Sequence, residues 1–221
     1  MTFDEARARM VDLQLAWRGI SDPRVLDAFR SVPRESFVPE ELAASAYRDA
    51  SLPIGEEQTI SQPYIVALTT EALRLRGGER VLDIGTGSGY AAAVLSRMAK
   101  QVFTVECRAS LANEARERLS RLGYRNIEVL HGDGTRGWPE HAPYDAIAVA
   151  AGAPRVPEAL LDQLAPGGRL VIPVGSAETQ VLTRVTRVDA NDFREEPLAD
   201  VRFVPLIGEQ GWPGPRRANA A

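Results

Sequence analysis

The spacing of apolar positions changes along this chain, and each spacing predicts a different kind of element. Over the first quarter, apolar residues recur three or four apart. Thr2-Phe3-Asp4-Glu5 is a capping-box pattern, and the segment it opens places Met10, Leu13 and Trp17 on one helical face before Gly19 stops it. Asp22-Pro23 starts a second helix that carries Val25, Leu26 and Phe29 inward until Pro33. Phe37-Val38-Pro39 and the stretch to Tyr47 read as an irregular bridge packed on the main domain, and an apolar helix is predicted over Ile65 to Leu75. From residue 81 the pattern becomes short, solid apolar runs: Val81 to Ile84, Val102 to Val105, Ile127 to Leu130, Asp145 to Ala150 and Arg169 to Val174. Helical segments separate them at Tyr90 to Met98, Ser110 to Leu122 and Pro157 to Leu164, the last stopping before Pro166-Gly167-Gly168. Strands alternating with helices predict an α/β fold with a doubly wound, mainly parallel sheet. Val181 to Val188 and Leu198 to Leu206, joined by a polar turn at Asp189 to Asp192, predict a terminal antiparallel pair. Residues 1–211 read as one domain, with a helical and loop region at 1–76 and an α/β core at 77–211. Residues 212–221 are expected to fray.

Composition narrows the partners. At 221 residues, 44% hydrophobic and 25% charged, the chain can bury a core without staples. A formal net charge of −4 offers no basic field for nucleic acid or anionic lipid, so neither is expected as a partner. One cysteine, Cys107, excludes an intramolecular disulfide framework, and with only two histidines beside it no metal site is expected. The opening residues are charged and no window is long and apolar enough for a bilayer, so a cytoplasmic location is expected.

The chemistry starts at Val81-Leu82-Asp83-Ile84-Gly85-Thr86-Gly87-Ser88-Gly89. This is a strand, a glycine turn and a helix start, where a ligand can approach the backbone because no Cβ blocks it. The spacing is Gly-x-Gly-x-Gly, not the Gly-x-Gly-x-x-Gly of dinucleotide folds, and Asp83 stands where a phosphate would be repelled and an ammonium welcomed. Glu106 ends the next apolar run, where a carboxylate can accept both hydroxyls of a ribose. Together these predict S-adenosyl-L-methionine as the cofactor. Asp133, in His131-Gly132-Asp133-Gly134, falls at the end of the third strand. It can accept the exocyclic amine of adenine or serve as an ordinary turn aspartate; with Asp83 and Glu106 in place, adenine is favoured. Ser61, two residues before Pro63, is by local pattern first an N-cap. Its hydroxyl could also serve a bound oxyanion at the positive end of the helix.

Taken together, the motifs resemble the protein-L-isoaspartate O-methyltransferase family nearly end to end. The resemblance rests on Met10-Val11 with Gln14-Leu15 and Arg18-Gly19-Ile20, on Val32-Pro33-Arg34-Glu35 with Phe37-Val38-Pro39, and on Leu52-Pro53-Ile54-Gly55. It continues through Gln58-Thr59-Ile60-Ser61-Gln62-Pro63, the glycine turn, Gly132-Asp133-Gly134, Ala153-Pro154 with Val156-Pro157, and Arg202-Phe203-Val204-Pro205-Leu206. The Thr-Ile-Ser-Gln-Pro segment is the specific one, since it resembles the family's substrate-site loop. The resemblance implies a Rossmann-like class I methyltransferase fold, with an N-terminal helical extension, a substrate loop within 1–76 and C-terminal antiparallel strands. It implies Ser61 as the catalytic residue. The cofactor positions are Gln58, Thr59, Ile60, Asp83, Gly85, Thr86, Gly87, Ser88, Gly89, Glu106, Asp133 and Gly134. Ser61, Gln62, Phe203, Val204 and Pro205 take the substrate positions. The implied reaction methylates the free α-carboxylate of isoaspartyl residues in proteins and peptides, starting repair through a succinimide, and the enzyme is expected to be a monomer. The chain departs from the family at Glu57, where a glycine is usual before Gln58. Glu57 is expected to restrict that turn and to set a negative charge near the entry of an anionic substrate. It favours one rival reading, a carboxyl methyltransferase for another acceptor. A non-catalytic cofactor-binding subunit is the other, and the intact Ser61 and glycine turn speak against it.

Overall fold

The computed structural model describes residues 1–214. Helix α1 (Phe3–Met10) begins with the expected capping box: the Glu5 amide donates to Thr2 Oγ1 (3.2 Å) and the Thr2 amide to Glu5 Oε2 (2.8 Å). Its continuation corrects the predicted face. The chain passes into a π-turn at Val11–Leu15, whose wider winding delays each side chain's return to the core side. Met10, Val11 and Leu15 are therefore buried, while Leu13 and Trp17 are 52% and 84% exposed. Helix α2 (Pro23–Ser31) is capped by Asp22, which accepts from the Arg24 amide, and it buries Val25, Ala28 and Phe29. The bridge to Tyr47 consists of two 3₁₀ turns, Arg34–Phe37 and Glu40–Ser45, and packs Phe37, Val38, Ala46 and Tyr47 into the core.

Strands β1 (Leu52–Gly55) and β2 (Gln58–Ile60) form a small antiparallel hairpin that the apolar pattern did not reveal. Helix α3 (Pro63–Ala72) follows, with Pro at its first position. The α/β core runs β3 (Arg80–Ile84), α4 (Tyr90–Ser96), β4 (Gln101–Glu106), α5 (Ala109–Arg121), β5 (Ile127–His131), β6 (Tyr144–Val149), α6 (Glu158–Asp162), β7 (Leu164–Gly175), β8 (Gln180–Asp189) and β9 (Asp192–Val201). One seven-stranded sheet results, in the order β5-β4-β3-β6-β7-β8-β9. It is parallel from β5 through β7, with β8 and β9 added antiparallel.

Two boundaries differ from the sequence expectation. The segment Pro166-Gly167-Gly168 lies inside β7, not ahead of it. Tyr144 pairs with Leu164 and Ala146 with Arg169, so these residues bulge out of the ladder while the strand continues. The last strand runs from Asp192 to Val201 instead of 198 to 206, and Arg202 onward leaves the sheet. Residues 212–214 also depart from the expected frayed tail. The Trp212 amide donates to the Leu206 carbonyl (2.7 Å) and its indole to the Gly152 carbonyl (3.0 Å). The remainder of that tail, 215–221, lies outside the described residues.

Both faces of the sheet are covered, which explains the solid apolar runs. Side chains alternate along β3: Val81 joins the core beneath the N-terminal helices, whereas Leu82 and Ile84 join the core on the opposite face. Asp83 therefore shares the side of Val81, toward the N-terminal region. The order of strands reverses between β3 and β6, so a crevice opens at their carboxyl ends. Among the described residues, no helix is long and apolar enough to cross a membrane.

Candidate active site

At that crevice lies a cleft enclosing about 1080 Å³, open solvent at its mouth included. Its floor is the glycine turn. Gly85, Gly87 and Gly89 have φ of +94°, +52° and +90°, values that other residues adopt only with strain. A Cβ at Gly87 would come within 3.2 Å of Ile54 on β1, so the β1–β2 hairpin sits directly over the turn. The hairpin tip is tied down as well: Glu56 accepts from Ser110 Oγ (2.8 Å) and pairs with Arg108 (3.4 Å) at the start of α5.

Two acids line the cleft. Asp83 is 1% exposed. Its Oδ2 accepts from Thr104 Oγ1 (2.8 Å), whose oxygen meets Thr86 Oγ1 at 2.7 Å, and its Oδ1 has no partner. Burial pushes the Asp83 carboxyl up to about 7; the Thr104 hydrogen bond pulls against this and Glu106 adds to it. Glu106 Oε1 accepts from the Arg108 amide (3.0 Å) and the Cys107 thiol (3.6 Å), while Oε2 accepts from the Gly87 amide alone (2.9 Å), which leaves acceptor capacity on Oε2. Cys107 borders the same wall, its thiol pushed up by burial and by Glu106.

Ser61 also lines the cleft, and its local geometry bears on the first reading of it, the N-cap. The cap position of α3 is Gln62, which makes no side-chain cap. The Ser61 hydroxyl has no hydrogen-bond partner among the described residues and is free to meet a ligand. The N-cap expectation is corrected accordingly: with Pro63 at the first helical position, the cap falls one residue later than the pattern suggested.

The opposite rim is the segment after β9. Gly152 donates to the Val204 carbonyl (2.8 Å) and accepts from the Leu206 amide (2.8 Å), so this segment runs beside Gly152 like a short strand. The Phe203 amide donates to the buried Gln180 side chain (2.7 Å). Phe203, Val204 and Pro205 thus border the cleft opposite α3, as do Leu206 and Ile207.

Most of the expected residues converge here: Gln58, Thr59, Ile60, Ser61, Asp83, Gly85, Thr86, Gly87, Ser88, Glu106, Gly134, Phe203, Val204 and Pro205 all line the cleft. Gln62, Gly89 and Asp133 do not. Gly89 is the left-handed cap residue of α4, and Gln62 reaches the Asp49 carbonyl at 3.4 Å. Asp133 accepts from the amide and hydroxyl of Thr135 (2.9 and 2.7 Å) and from the Glu209 amide (2.8 Å), which is the turn role that the sequence ranked second. Its neighbour Gly134 does reach the wall, where a Cβ would stand 2.6 Å from Ile84 Cγ2. Sequence reasoning missed the α3 face (Ile65, Val66, Thr69, Thr70), Tyr90 and the alanine-rich end of β6 with the residues after it, Ala148 to Ala151. The run of alanines at a strand end was the available signal, since small side chains permit close approach.

Comparison with known proteins gives the family and the fold. The family model described as protein-L-isoaspartate(D-aspartate) O-methyltransferase matches residues 6–211. Protein-L-isoaspartate O-methyltransferase 1 of Rhodopseudomonas palustris is 57% identical over 100% of this chain and 92% of its own length. Protein-L-isoaspartate O-methyltransferase 2 of Pelobacter propionicus is 60% identical over 93% of this chain and 92% of its own. A solved protein-L-isoaspartate O-methyltransferase superposes with a TM-score of 0.83 at 34% identity, covering 93% of this chain and 67% of that one. A Plasmodium falciparum protein assigned to the same enzyme, solved with S-adenosyl-L-homocysteine, gives 0.78 at 29% identity, covering 91% and 98%. The chain belongs to the protein-L-isoaspartate(D-aspartate) O-methyltransferase family.

Proposed function

We propose that the cleft works by holding a cationic methyl donor on its acids and an anionic acceptor at Ser61. The reaction is that of the family, S-adenosyl-L-methionine-dependent methylation of isoaspartyl residues in damaged proteins. The donor fits the residues present. Asp83 Oδ1 is an orphaned buried acceptor, Glu106 keeps acceptor capacity on Oε2, and the glycine turn leaves backbone open to close approach. Asp83 and the turn Gly85 to Gly89 would hold the amino-acid end, and Glu106 the ribose hydroxyls. Gly134 would flank the base, with Asp133 fixing its position, while Gln58, Thr59 and Ile60 would cover the donor from the hairpin side. When bound, the donor supplies an electrophilic methyl group on a sulfonium.

The acceptor carboxylate needs no general base, because its ordinary pKa near 4 leaves it ionised at neutral pH. The protein's work is alignment and exclusion of water, and alignment alone can lower a barrier by up to about 7 to 11 kcal/mol. Ser61 donates a hydrogen bond that fixes one carboxylate oxygen and leaves the other free to attack. Val204 and Leu206 spend their inward backbone groups on Gly152. The Phe203 and Pro205 carbonyls make no bond among the described residues, so a substrate main chain can pair with them with little regard for its sequence. Gln62 would lie at the margin of that substrate site. Glu57, which favoured a different acceptor, is exposed and does not line the cleft.

The observation that carries this reading is the free Ser61 hydroxyl on the cleft wall. Methyl transfer to a matched isoaspartyl and aspartyl peptide pair tests it. Ser61→Ala should lower kcat/KM on the isoaspartyl peptide by about a hundredfold, with affinity for S-adenosyl-L-homocysteine nearly unchanged. An equal loss of both would make Ser61 structural, and equal labelling of the aspartyl peptide would overturn the acceptor. We assign the enzyme to the cytoplasm as a monomer without nucleic-acid or membrane partners. The net charge of −4 supports the lack of nucleic-acid and membrane partners, and sedimentation of the purified chain tests the monomer.

A further inference from the structure

Directly behind Ser61 the protein buries a guanidinium. Arg34 opens the 3₁₀ turn 34–37 and has no solvent exposure. Its Nε donates to the Ala46 carbonyl (2.8 Å) and its Nη2 to the Ser61 carbonyl (2.8 Å). The group lies 4.8 Å from the centre of the Tyr90 ring, and that ring is braced edge-on by Phe29 and Phe37. The Nη1 atom and the Tyr90 hydroxyl complete no hydrogen bond of good geometry, yet the two groups stand close enough for the guanidinium to pull the Tyr90 pKa down against the rise that burial causes. Among the described residues no carboxylate stands within ion-pair distance of Arg34. The adjacent Glu35 is engaged by the Tyr47 hydroxyl and, at 3.9 Å, by Arg7.

Burial works against the charge, lowering the pKa of Arg34, yet an arginine stays protonated throughout the physiological range. A buried cation without an anion is costly, and an apolar side chain of similar volume would fill the space more cheaply. Two of the groups it touches, Ser61 and Tyr90, line the cleft. The charge therefore sits one residue layer behind the place assigned to an anionic substrate.

We propose that Arg34 is a positioning residue for methyl transfer: it fixes the Ser61 carbonyl so that the serine hydroxyl faces the cleft, and the substrate carboxylate supplies the counter-ion that the free protein lacks. The inference rests on the reading of Ser61 as the holder of that carboxylate.

Three variants test it by steady-state kinetics on an isoaspartyl peptide. Arg34→Gln keeps a donor and loses the charge, so KM for the peptide should rise by about tenfold or more while affinity for S-adenosyl-L-homocysteine stays within about twofold. In a Ser61→Ala background the same substitution should cost much less, because without the serine hydroxyl the carboxylate is no longer held in front of the guanidinium. Arg34→Lys keeps a charge that can titrate. Around it stand Tyr90, Tyr47 and, beyond Tyr47, Glu35 and Arg7; burial pushes Tyr90 up to about 12 and raises Tyr47 also. Burial lowers a lysine pKa. The peptide KM of Arg34→Lys should therefore climb between about pH 7 and 10 while that of the unaltered enzyme stays level.

A flat KM profile for folded Arg34→Lys, or full additivity of Arg34→Gln with Ser61→Ala, overturns the proposal. The lysine variant decides the matter even if Arg34→Gln fails to fold. If Ser61→Ala alone leaves peptide turnover intact, the reading of Ser61 falls and this inference with it. If Ser61→Ala is impaired but the pair is additive, only the role of Arg34 falls.

Discussion

Asp83 shows how one residue carries both a cost and a use. Burial with one oxygen unpartnered raises its pKa from an ordinary 3.8 to about 7. The folded protein therefore binds a proton that the unfolded chain releases near pH 4, and this contribution to stability is lost as pH rises from about 4 through 7. A bound ammonium or sulfonium reverses the preference by favouring the carboxylate. Affinity for S-adenosyl-L-methionine should then rise with pH up to about 7 and level off above it, with proton release on binding near neutral pH. Calorimetry in two buffers of different ionisation enthalpy reads both effects. A constant affinity and no proton release from pH 5.5 to 8.5, in a range set by that value of about 7, would remove Asp83 from the donor site. Asp83 and Glu106 were legible because an acid closing an apolar run can be read straight off the chain. Arg34 was not, since an arginine after Val32-Pro33 looks like any solvated cation until the fold closes over it.

Among the elements, the β1–β2 hairpin departs most from local preference. Gly55 pairs with Gln58, so the turn has two central residues, Glu56 and Glu57, at φ of +51° and +57°. Such turns favour Asn-Gly, and a left-handed backbone costs other residues about 1 to 2 kcal/mol each. Glu56 recovers part of that through Ser110 and Arg108; Glu57 is exposed and has no ion-pair or side-chain hydrogen-bond partner among the described residues. Glu57→Gly should therefore stabilise the protein by about 1 kcal/mol, raising the thermal midpoint by about 2 to 4 °C for a chain of this size. An unchanged or lower midpoint in differential scanning calorimetry would show that the turn is not strained at that position. The sequence flagged Glu57 both for restricting the turn and for its charge, and the first is where its effect lies; the φ value itself cannot be read from residue identity without knowing that Gly55 and Gln58 pair. The π-turn at Val11–Leu15 was hidden for a similar reason: a 3.6-residue period assumes the winding that this segment abandons.

Across the whole molecule, segments from before and after the central strands converge on one crevice of the sheet. The hairpin and α3 close it from the N-terminal side, and residues 203–207 close it from the C-terminal side. The sheet itself was legible from its solid apolar runs. The path after β9 was not, because Gly152, Gln180 and Asp133, which fix it, lie 20 to 80 residues away in sequence. Asp133 is the tie at the far end of this return, and Gly208 packs against it so closely that a Cβ there would fall 2.1 Å from Asp133 Oδ1. Gly208→Ala must therefore push the return away from Asp133 and Thr135. Overpacking of this kind costs about 1 to 3 kcal/mol, and it should weaken peptide and cofactor binding together, since Leu206, Ile207 and Gly134 share the wall. Asp133→Ala loses the three hydrogen bonds to Thr135 and Glu209 but also removes the nearer obstacle, leaving Thr135 Cγ2 at 2.7 Å. In that background Gly208→Ala should cost less stability than in the unaltered chain, a coupling that a double-mutant cycle of thermal midpoints measures directly. Additive losses would mean that the return is held elsewhere, with Trp212 and its bonds to Leu206 and Gly152 as the remaining anchor.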